Sequence, residues 1–412
     1  MKIKEIHIHN FRSIEQLHLT DLHPSCNLVV GVNGAGKSSL LDSIAILLSW
    51  LIARMKSPTA RGVALNDADI RLHAHNGCQL SLETDNQINW SICKQKSFSS
   101  RPTAKACQTD LTAMTPWAEH LVEQGEAGHS IPVLMYYPVE RAVAAAPVNL
   151  HRQQPAIWDV YKEALSGNAN FRSLFEWYRL QEDIENELIR DQPDYRDRNL
   201  EAVRRAIQTF FPDFSELRVR RRPRQAMVVT KGKETIEFTQ LSQGEKCYLA
   251  LVCDIARRLA IANPQTSNPL QGEGIVLVDE VDLHLHPQWQ REIASKLTEV
   301  FPNCQFFLST HSPLVLSDIT KQQIIPLQNG NLLHVSFEPF GQLSGSIMTH
   351  YFDLPQPRNK AVACKLEEAF DAVRQGNVEQ WKTLYRDLQQ SIGTADKDMV
   401  NLIIEAKRRG MI

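Results

Sequence analysis

The spacing of apolar residues predicts strands first and a long helix after them. Residues 1–30 alternate apolar and polar positions and end in an apolar run at 27–30, which is typical of strands with a buried face. Helical spacing of leucine and isoleucine then predicts a helix over 38–54. Residues 78–94 predict a two-stranded hairpin, and the apolar run at 131–137 predicts a buried strand. The order of these elements indicates an α/β fold.

The rest of the chain is richer in helices. Helices are predicted at 117–124, 171–188, 200–210, 245–261 and 288–300 and in three stretches after residue 358, with strands at 217–222, 226–231, 235–238, 274–278 and 305–309. Polar residues 191–194 separate two of the helices, so these are expected to form a helical hairpin. The elements between 274 and 309 predict a β-α-β unit.

Composition and charge narrow the class of protein. The 412 residues are 43% hydrophobic and 22% charged, with a formal net charge of −2, which argues against a uniformly basic nucleic-acid wrapper. The apolar stretch at 40–53 contains Asp42 and is too short to cross a bilayer. The first residues lack the apolar core of a signal peptide. We therefore expect a cytoplasmic protein without membrane contact.

The eight cysteines form no C-x-x-C pair, and several lie in apolar runs. In a cytoplasmic protein this pattern predicts reduced, mostly buried thiols. It also gives no reason to expect a zinc site built on cysteine.

A glycine-rich stretch from Gly31 to Ser38 matches the pattern G-x-x-x-x-G-K-[ST] and lies between a predicted strand and a predicted helix. Glycines let backbone N–H groups turn inward around phosphate oxygens, and the helix start adds positive dipole. Lys37 would place a cation against the β- and γ-phosphates of ATP, and Ser38 would supply an oxygen ligand for Mg²⁺. The residues expected to hold the nucleotide here are Asn33, Gly34, Ala35, Gly36, Lys37, Ser38 and Ser39.

Two acids follow a buried strand later in the chain. Asp279 and Glu280 come directly after the apolar run 274–278, at the strand end where open α/β sheets bind ligands. Asp279 would hold Mg²⁺, and Glu280 would orient or deprotonate the attacking water. The sequence thus predicts the two halves of an ATP-hydrolysing site.

Further motifs make the chain resemble the SMC/RecF/OLD branch of ABC-class ATPases. Residues 241–245 read Leu-Ser-Gln-Gly-Glu and are similar to the LSGGQ signature, departing from it at Gln243 and Glu245. His311 resembles the switch histidine of that family, and residues 10–12 resemble its Asn-Phe-Arg strand. The resemblance implies an α/β, ABC/SMC-type P-loop ATPase head with a mixed sheet and flanking helices. A short helical-hairpin insertion and a C-terminal helical tail would complete it.

The resemblance also implies a site shared between two subunits. Ser242 and Gly244 would contact the γ-phosphate held by a partner, within a nucleotide-binding stretch that includes Gln243 and Glu245, and His311 would sense the phosphate of its own subunit. An ATP-linked homodimer or higher homo-oligomer is therefore expected. The implied parts are an N-terminal lobe at 1–141, the insertion at 142–215, a C-terminal lobe at 216–355 and the tail at 356–412.

Three groups of basic residues can each be interpreted in two ways. Arg218, Arg220 and Arg222 would share one face of a strand, either as a contact for DNA phosphates or as a solvated edge. Arg141 either lies near the phosphates or makes an ordinary ion pair. Two histidine pairs, His73 with His75 and His284 with His286, could bind a metal; the second pair more simply shapes the loop at the dimer contact.

The overall plan, together with the stretches at 279–287 and 306–313, resembles the PtuA ATPases of Septu-type anti-phage systems and related retron ATPases. That resemblance implies control of a partner HNH nuclease of the PtuB type and no nuclease of its own. The predicted hairpin is too short for the arm of a cohesin-type protein, and the D-x-D letters at 396–398 lack the strand of a Toprim site. The alternatives are a RecF-like repair ATPase that loads on DNA and, less consistent with the motifs, a transporter subunit.

Overall fold

The structure is a computed structural model that describes residues 1–74, 77–96, 107–139, 156–165, 171–354 and 358–412. Within these ranges the chain forms two compact units, Met1–Ser344 and Gly345–Ile412. The four-part division made from the sequence stays a prediction, and two of the residues considered above, His75 and Arg141, lie outside the described residues.

The elements predicted from the sequence occur in the predicted order, and four short elements between residues 313 and 351 were not predicted. The strands are β1 Ile3–Phe11, β2 Ile14–Leu19, β3 Cys26–Val30, β4 Cys78–Thr84, β5 Asn89–Lys94, β6 Val133–Tyr137, β7 Phe214–Arg220, β8 Ala226–Lys231, β9 Glu234–Glu237, β10 Gly274–Val278, β11 Cys304–Thr310, β12 Ile324–Gln328 and β13 Asn331–Leu332. The helices are α1 Lys37–Lys56, α2 Met114–Glu126, α3 Phe171–Asp191, α4 Arg198–Phe210, α5 Gln243–Ala262, α6 Pro287–Val300, α7 Pro313–Leu316, α8 Ser344–Tyr351, α9 Lys360–Gln375, α10 Val378–Ile392 and α11 Lys397–Arg408. The predicted hairpins, the β-α-β unit and the three helices of the tail are confirmed.

A six-stranded mixed sheet forms the centre of the larger unit. Its order is β13-β12-β3-β11-β10-β6, and all neighbours are parallel except the short edge strand β13. The strands β3, β10 and β11 are buried at every residue, as expected for parallel strands covered on both faces. The α/β fold with a mixed sheet is therefore as predicted.

Two smaller antiparallel sheets complete this unit. One has the order β2-β1-β4-β5 and the other the order β7-β8-β9. On the first, buried and accessible residues alternate along β4, and the indole of Trp90 on β5 donates to the Leu47 carbonyl of α1 at 3.1 Å. This sheet therefore covers the helix that follows the glycine loop.

Helix α1 is long and apolar enough to cross a membrane, but 67% of its most apolar 18-residue stretch is buried inside the protein. Its buried residues include Leu40, Leu47 and Leu51. The helix therefore serves as a core element of the larger unit, and it is the one helix of this kind within the described ranges.

The helical hairpin of α3 and α4 is anchored by charge as well as by apolar packing. Asp197 caps α4 by accepting from the N–H groups of Asn199 and Leu200, which satisfies donors that a helix start leaves unpaired. Arg204 on α4 makes a two-pronged ion pair with Glu185 on α3, at 3.0 and 2.8 Å. The predicted hairpin is thus a packed part of the larger unit.

The smaller unit has its own apolar core. Leu366, Val373, Trp381 and Leu402 pack together from its three long helices. Asp396 caps α11 and pairs with Arg358 at 2.9 Å. The first acid of the D-x-D letters at 396–398 therefore has a structural role.

One cysteine prediction is wrong. Cys93 at the end of β5 and Cys107 are joined by a disulfide across 14 residues. The prediction failed because Cys107 lies beside β5 through non-local pairing: Ser91 on β5 and Asp110 exchange backbone hydrogen bonds of 2.8 Å, which a pattern of cysteine spacing does not indicate. The prediction of thiols holds for the other six: four are buried, Cys247 is half-buried and Cys364 is exposed.

A buried ion cluster ties α5 to the central sheet. Asp254 on α5 accepts from Arg257 at 2.6 Å, from Arg258 at 2.9 Å and from the Tyr137 hydroxyl of β6 at 2.9 Å. Burial alone would raise the pKa of Asp254, but the two guanidinium groups hold it well below its usual range. The carboxylate is therefore charged, and its partners compensate the loss of water.

We expect Asp254→Ala to lower the free energy of unfolding by about 3–5 kcal/mol, because it leaves two buried cations without a counter-ion. Chemical denaturation followed by tryptophan fluorescence would measure the loss. The control is Glu15→Ala, which removes an exposed partner of Arg71 at 3.2 Å and should cost no more than about 1 kcal/mol. Equal losses in the two variants would contradict this account.

Candidate functional site

The carboxyl ends of three neighbouring parallel strands form the candidate site. The glycine loop follows β3, Asp279 and Glu280 follow β10, and His311 follows β11. In the sheet β3 pairs with β11 and β11 with β10. The fold therefore brings together predicted residues from three distant parts of the sequence.

The glycine loop is shaped by backbone conformations that other residues adopt rarely. Gly34 has φ of 78°, and Gly36, which precedes the first turn of α1, has φ of 105°. Lys37 is only 6% exposed, and its ammonium donates to the carbonyls of Gly31 and Val32 at 3.0 and 3.2 Å. The cation is thus held inside the curve of the loop.

The other predicted loop residues differ in access to solvent. Asn33, Gly34 and Ser38 are exposed, Ala35 is buried, and Ser39 is half-buried. The Ser39 hydroxyl lies 3.4 Å from that of Ser13. The open side of the loop is therefore lined by small or polar groups.

Two neighbouring turns support the loop from behind. A Cβ on Gly31 would lie 2.2 Å from the Leu327 carbonyl oxygen of β12, and a Cβ on Gly36 would lie 3.3 Å from the Ser13 hydroxyl. The Ala35 carbonyl accepts from the N–H of Gly330 at 3.0 Å. The loop is therefore held between the β1–β2 turn and the β12–β13 turn.

The acids after β10 are positioned by a residue that the sequence reasoning did not assign. The Ser309 hydroxyl at the end of β11 donates to the Asp279 carboxylate and accepts from the N–H of Glu280 at 2.8 Å. Asp279 is 3% exposed, whereas Glu280 is half-buried and has a left-handed backbone with φ of 45°. A polar residue ending an apolar strand was the available signal for Ser309.

His311 and Lys37 share the electrostatic field of the carboxylates. Burial lowers the pKa of His311 and Lys37 lowers it further, while Glu280, Asp282 and Asp279 oppose this effect. Burial likewise lowers the pKa of Lys37, and the same three acids raise it. The net shift keeps the His311 imidazole neutral at pH 7.

The residues predicted to form the signature lie at the start of α5. Ser242 caps this helix in a reciprocal pair with Glu245, and Glu245 also binds the Lys231 ammonium at 2.6 Å. Ser242 and Gln243 are exposed, while Gly244 is buried. A Cβ on Gly244 would lie 2.1 Å from the His284 carbonyl oxygen, so this glycine allows the helix start to touch the loop after Glu280.

The remaining histidines of the pairs considered above have structural roles or open surroundings. His284 has a left-handed φ of 62° and meets Gly244 through its backbone. The His286 ring accepts from the N–H of Gln288 and caps α6. His73 is exposed. These contacts favour the interpretation that His284 and His286 shape the loop.

A second network missed from the sequence fixes α1. Arg12 in the turn after β1 donates to Asp42 on α1 and, at 3.0 Å, to Asp69. Asp42 also accepts from the Tyr136 hydroxyl at 2.6 Å, and burial raises the pKa of Tyr136. The Asn-Phe-Arg motif was the signal for Arg12, whereas nothing local to Tyr136 indicates its partner.

The arginine run is mostly engaged within the protein. Arg218 and Arg220 share a strand face as predicted, but β7 ends at Arg220, so the expectation that Arg222 continues that face is wrong. Arg220 pairs with Glu237, and Arg221 pairs with Glu182 at 2.7 Å. The exposed Arg218 lines a cavity of about 600 Å³ beside the helical hairpin.

We expect Gly244→Ala to destabilise the protein by about 1–3 kcal/mol, because the new methyl group would overlap the His284 carbonyl and force backbone shifts. The matched control is Gln243→Ala at the adjacent, exposed helix position, which should stay within about 0.5 kcal/mol. Thermal unfolding of both variants would measure the difference. A Gly244→Ala protein as stable as the control would show that the helix and the loop can separate freely.

Comparison with known proteins places this site in a family. The family described as RecF/RecN/SMC N terminal domain matches residues 2–331. A Vibrio cholerae protein named retron Vc95 probable ATPase is 32% identical over 83% of this chain and 77% of its own length. An Escherichia coli protein named retron Ec83 probable ATPase is 27% identical over 99% and 87%. The Septu protein PtuA of Bacillus thuringiensis is 22% identical over 79% and 75%. The chain belongs to the RecF/RecN/SMC N-terminal domain family.

Proposed function

We propose that this protein is a Mg²⁺-dependent ATPase of anti-phage defence that forms ATP-linked dimers and controls a partner nuclease. The observation that carries the ATPase proposal is the meeting of Lys37, Asp279, Glu280 and His311 at one sheet edge, beside a glycine loop. The similarity to proteins named as retron ATPases and as Septu PtuA supports the defence role.

The chemistry of the donors fits a magnesium nucleotide. The loop N–H groups, the start of α1 and the Lys37 ammonium would bind phosphate oxygens. The exposed Ser38 hydroxyl and the Asp279 carboxylate offer the oxygen ligands that Mg²⁺ prefers. The bound ion would neutralise charge on the β- and γ-phosphates.

Two residues would act on the hydrolytic water and the terminal phosphate. Glu280 would accept the proton of the attacking water, and its backbone is held by the Ser309 hydroxyl. His311, neutral at pH 7, would donate a hydrogen bond to the γ-phosphate. Both roles follow from positions at the ends of adjacent strands.

Glu280→Gln should lower kcat for ATP hydrolysis by about 10²–10⁴-fold, because the amide cannot accept the proton, while ATP binding remains. Lys37→Ala should instead weaken ATP binding. The control is Glu299→Gln, the same change at an exposed position of α6. Phosphate release and equilibrium binding of a fluorescent ATP analogue would separate the two effects. Unchanged turnover in Glu280→Gln would remove Glu280 from the mechanism.

The exposed start of α5 supports the proposal of a shared site. Ser242 and Gln243 face solvent at the positive end of a 20-residue helix. Such an end attracts anions, and the phosphate bound by a second copy is a fitting one. Two identical heads facing each other would place each signature over the nucleotide of the other.

Gln243→Glu tests this dimer without disturbing the fold. An acid in the first turn suits the dipole of α5 but would repel the partner's γ-phosphate, so the ATP-dependent dimer of Glu280→Gln should weaken at least about tenfold. Gln390→Glu, the same change on an exposed residue of α10, should leave it intact. Light scattering with and without ATP gives the mass. An unaltered dimer would exclude contact at Gln243.

Native mass analysis of the protein expressed with its genomic neighbours tests nuclease control. A stable complex with an HNH-type subunit supports the proposal. A lone protein that dimerises with ATP and binds gapped DNA in a salt-sensitive way would favour the alternative, a RecF-like DNA loader. Arg218 is the arginine of the run to replace in that case, since Arg220 and Arg221 are already paired with carboxylates.

A further inference from the structure

Three side chains with metal-binding groups converge on the outer face of the β1–β2 hairpin. Glu5 and His7 lie two residues apart on β1, and His18 on β2 pairs directly with His7 across the antiparallel ladder. A Glu5 carboxylate oxygen lies 2.6 Å from Nε2 of His7 and 2.5 Å from Nε2 of His18. All three donor atoms therefore point at the same small volume.

The proposed ATPase mechanism does not use this cluster. The nucleotide residues lie at the carboxyl ends of the central sheet, whereas Glu5, His7 and His18 belong to the four-stranded sheet. The two imidazole rings are stacked with centroids 3.6 Å apart and an interplanar angle of 22°. Stacking aligns the rings so that the same nitrogen of each faces the carboxylate.

We propose that Glu5, His7 and His18 form a binding site for a divalent transition-metal ion, with Zn²⁺ as the best match. Two imidazoles and one carboxylate are a recurrent protein ligand set for Zn²⁺. Imidazole nitrogen favours Zn²⁺, Ni²⁺ and Cu²⁺ over the oxygen-preferring Mg²⁺. The site therefore selects a different ion from the nucleotide loop.

The distances need only small adjustments to hold the ion. Tetrahedral Zn²⁺ with bonds of about 2.0–2.1 Å separates its ligand atoms by about 3.3 Å. The three donor atoms already lie within 4.8 Å of one another, and the side chains are 32%, 51% and 45% exposed for Glu5, His7 and His18. Rotation of accessible side chains can supply the change, and water can fill the fourth position.

The position of the site on two paired strands determines what a bound ion would do to the fold. An ion bound by His7 and His18 would cross-link β1 to β2. The turn between these strands carries Arg12, which binds Asp42 on α1, and Ser13, whose hydroxyl faces Gly36 of the glycine loop. The ion would thus fix the hairpin whose turn supports the phosphate-binding loop.

The test is Zn²⁺ titration of the full-length, chelator-treated protein against a chromophoric zinc chelator, in excess Mg²⁺ to occupy oxygen sites. Wild type should bind about one equivalent. His7→Gln and His18→Gln should each lower the affinity for Zn²⁺ at least about tenfold, because even the loss of a residue that only hydrogen-bonds to a metal ligand has an effect of this size. His9→Gln, an exposed histidine on the same face of β1, should bind as wild type does.

Co²⁺ provides a second readout that does not depend on the variants. Bound to wild type by two nitrogens and one carboxylate, it should give visible absorption that one equivalent of Zn²⁺ abolishes. Absence of this band, no zinc binding by wild type, or equal affinity in all four proteins would overturn the proposal. Circular dichroism would check that each variant keeps the wild-type fold.

Discussion

The parallel register of β3, β11 and β10 is the constraint on which the candidate site depends. Thr310 lies opposite Val30, and Leu308 lies opposite Val278. This alignment places Ser309 beside Asp279, so that one hydroxyl contacts both the carboxylate and the next N–H group. A shift of one residue would turn these side chains to the other face of the sheet. The geometry of the candidate site is therefore set by strand pairing.

The buried Asp254 cluster connects the central sheet to α5. Tyr137 ends β6, which pairs with β10, and its hydroxyl reaches Asp254 on α5. The strand that precedes Asp279 and the helix capped by Ser242 are thus linked through one neighbouring strand. The start of the same helix also touches the loop after Glu280 at His284. Both contacts hold the start of α5 at a fixed place relative to Asp279 and Glu280.

The sequence predicted the parts of the site that depend on local pattern. The glycine loop, the acids after an apolar strand and the start of α5 each follow from residues that are neighbours in the chain. Tyr136 and the disulfide partner of Cys93 could not be found this way, since each acts through a residue distant in sequence. Ser309 carries a local signal as a polar residue at the end of an apolar strand, but that signal does not identify its partner Asp279. Arg222 was misplaced because the predicted strand ran two residues beyond the end of β7, a boundary that propensity does not define.

The close approach of Gly244 to His284 bears on how signature motifs are interpreted across relatives. A glycine at this position is required by the packing of the chain against itself, whether or not a phosphate is ever bound there. Selection for folding alone would preserve it. Relatives that have lost hydrolysis would then still have glycine at this position. Substitutions that follow the loss of activity would appear first at exposed positions such as Gln243, because packing does not constrain them.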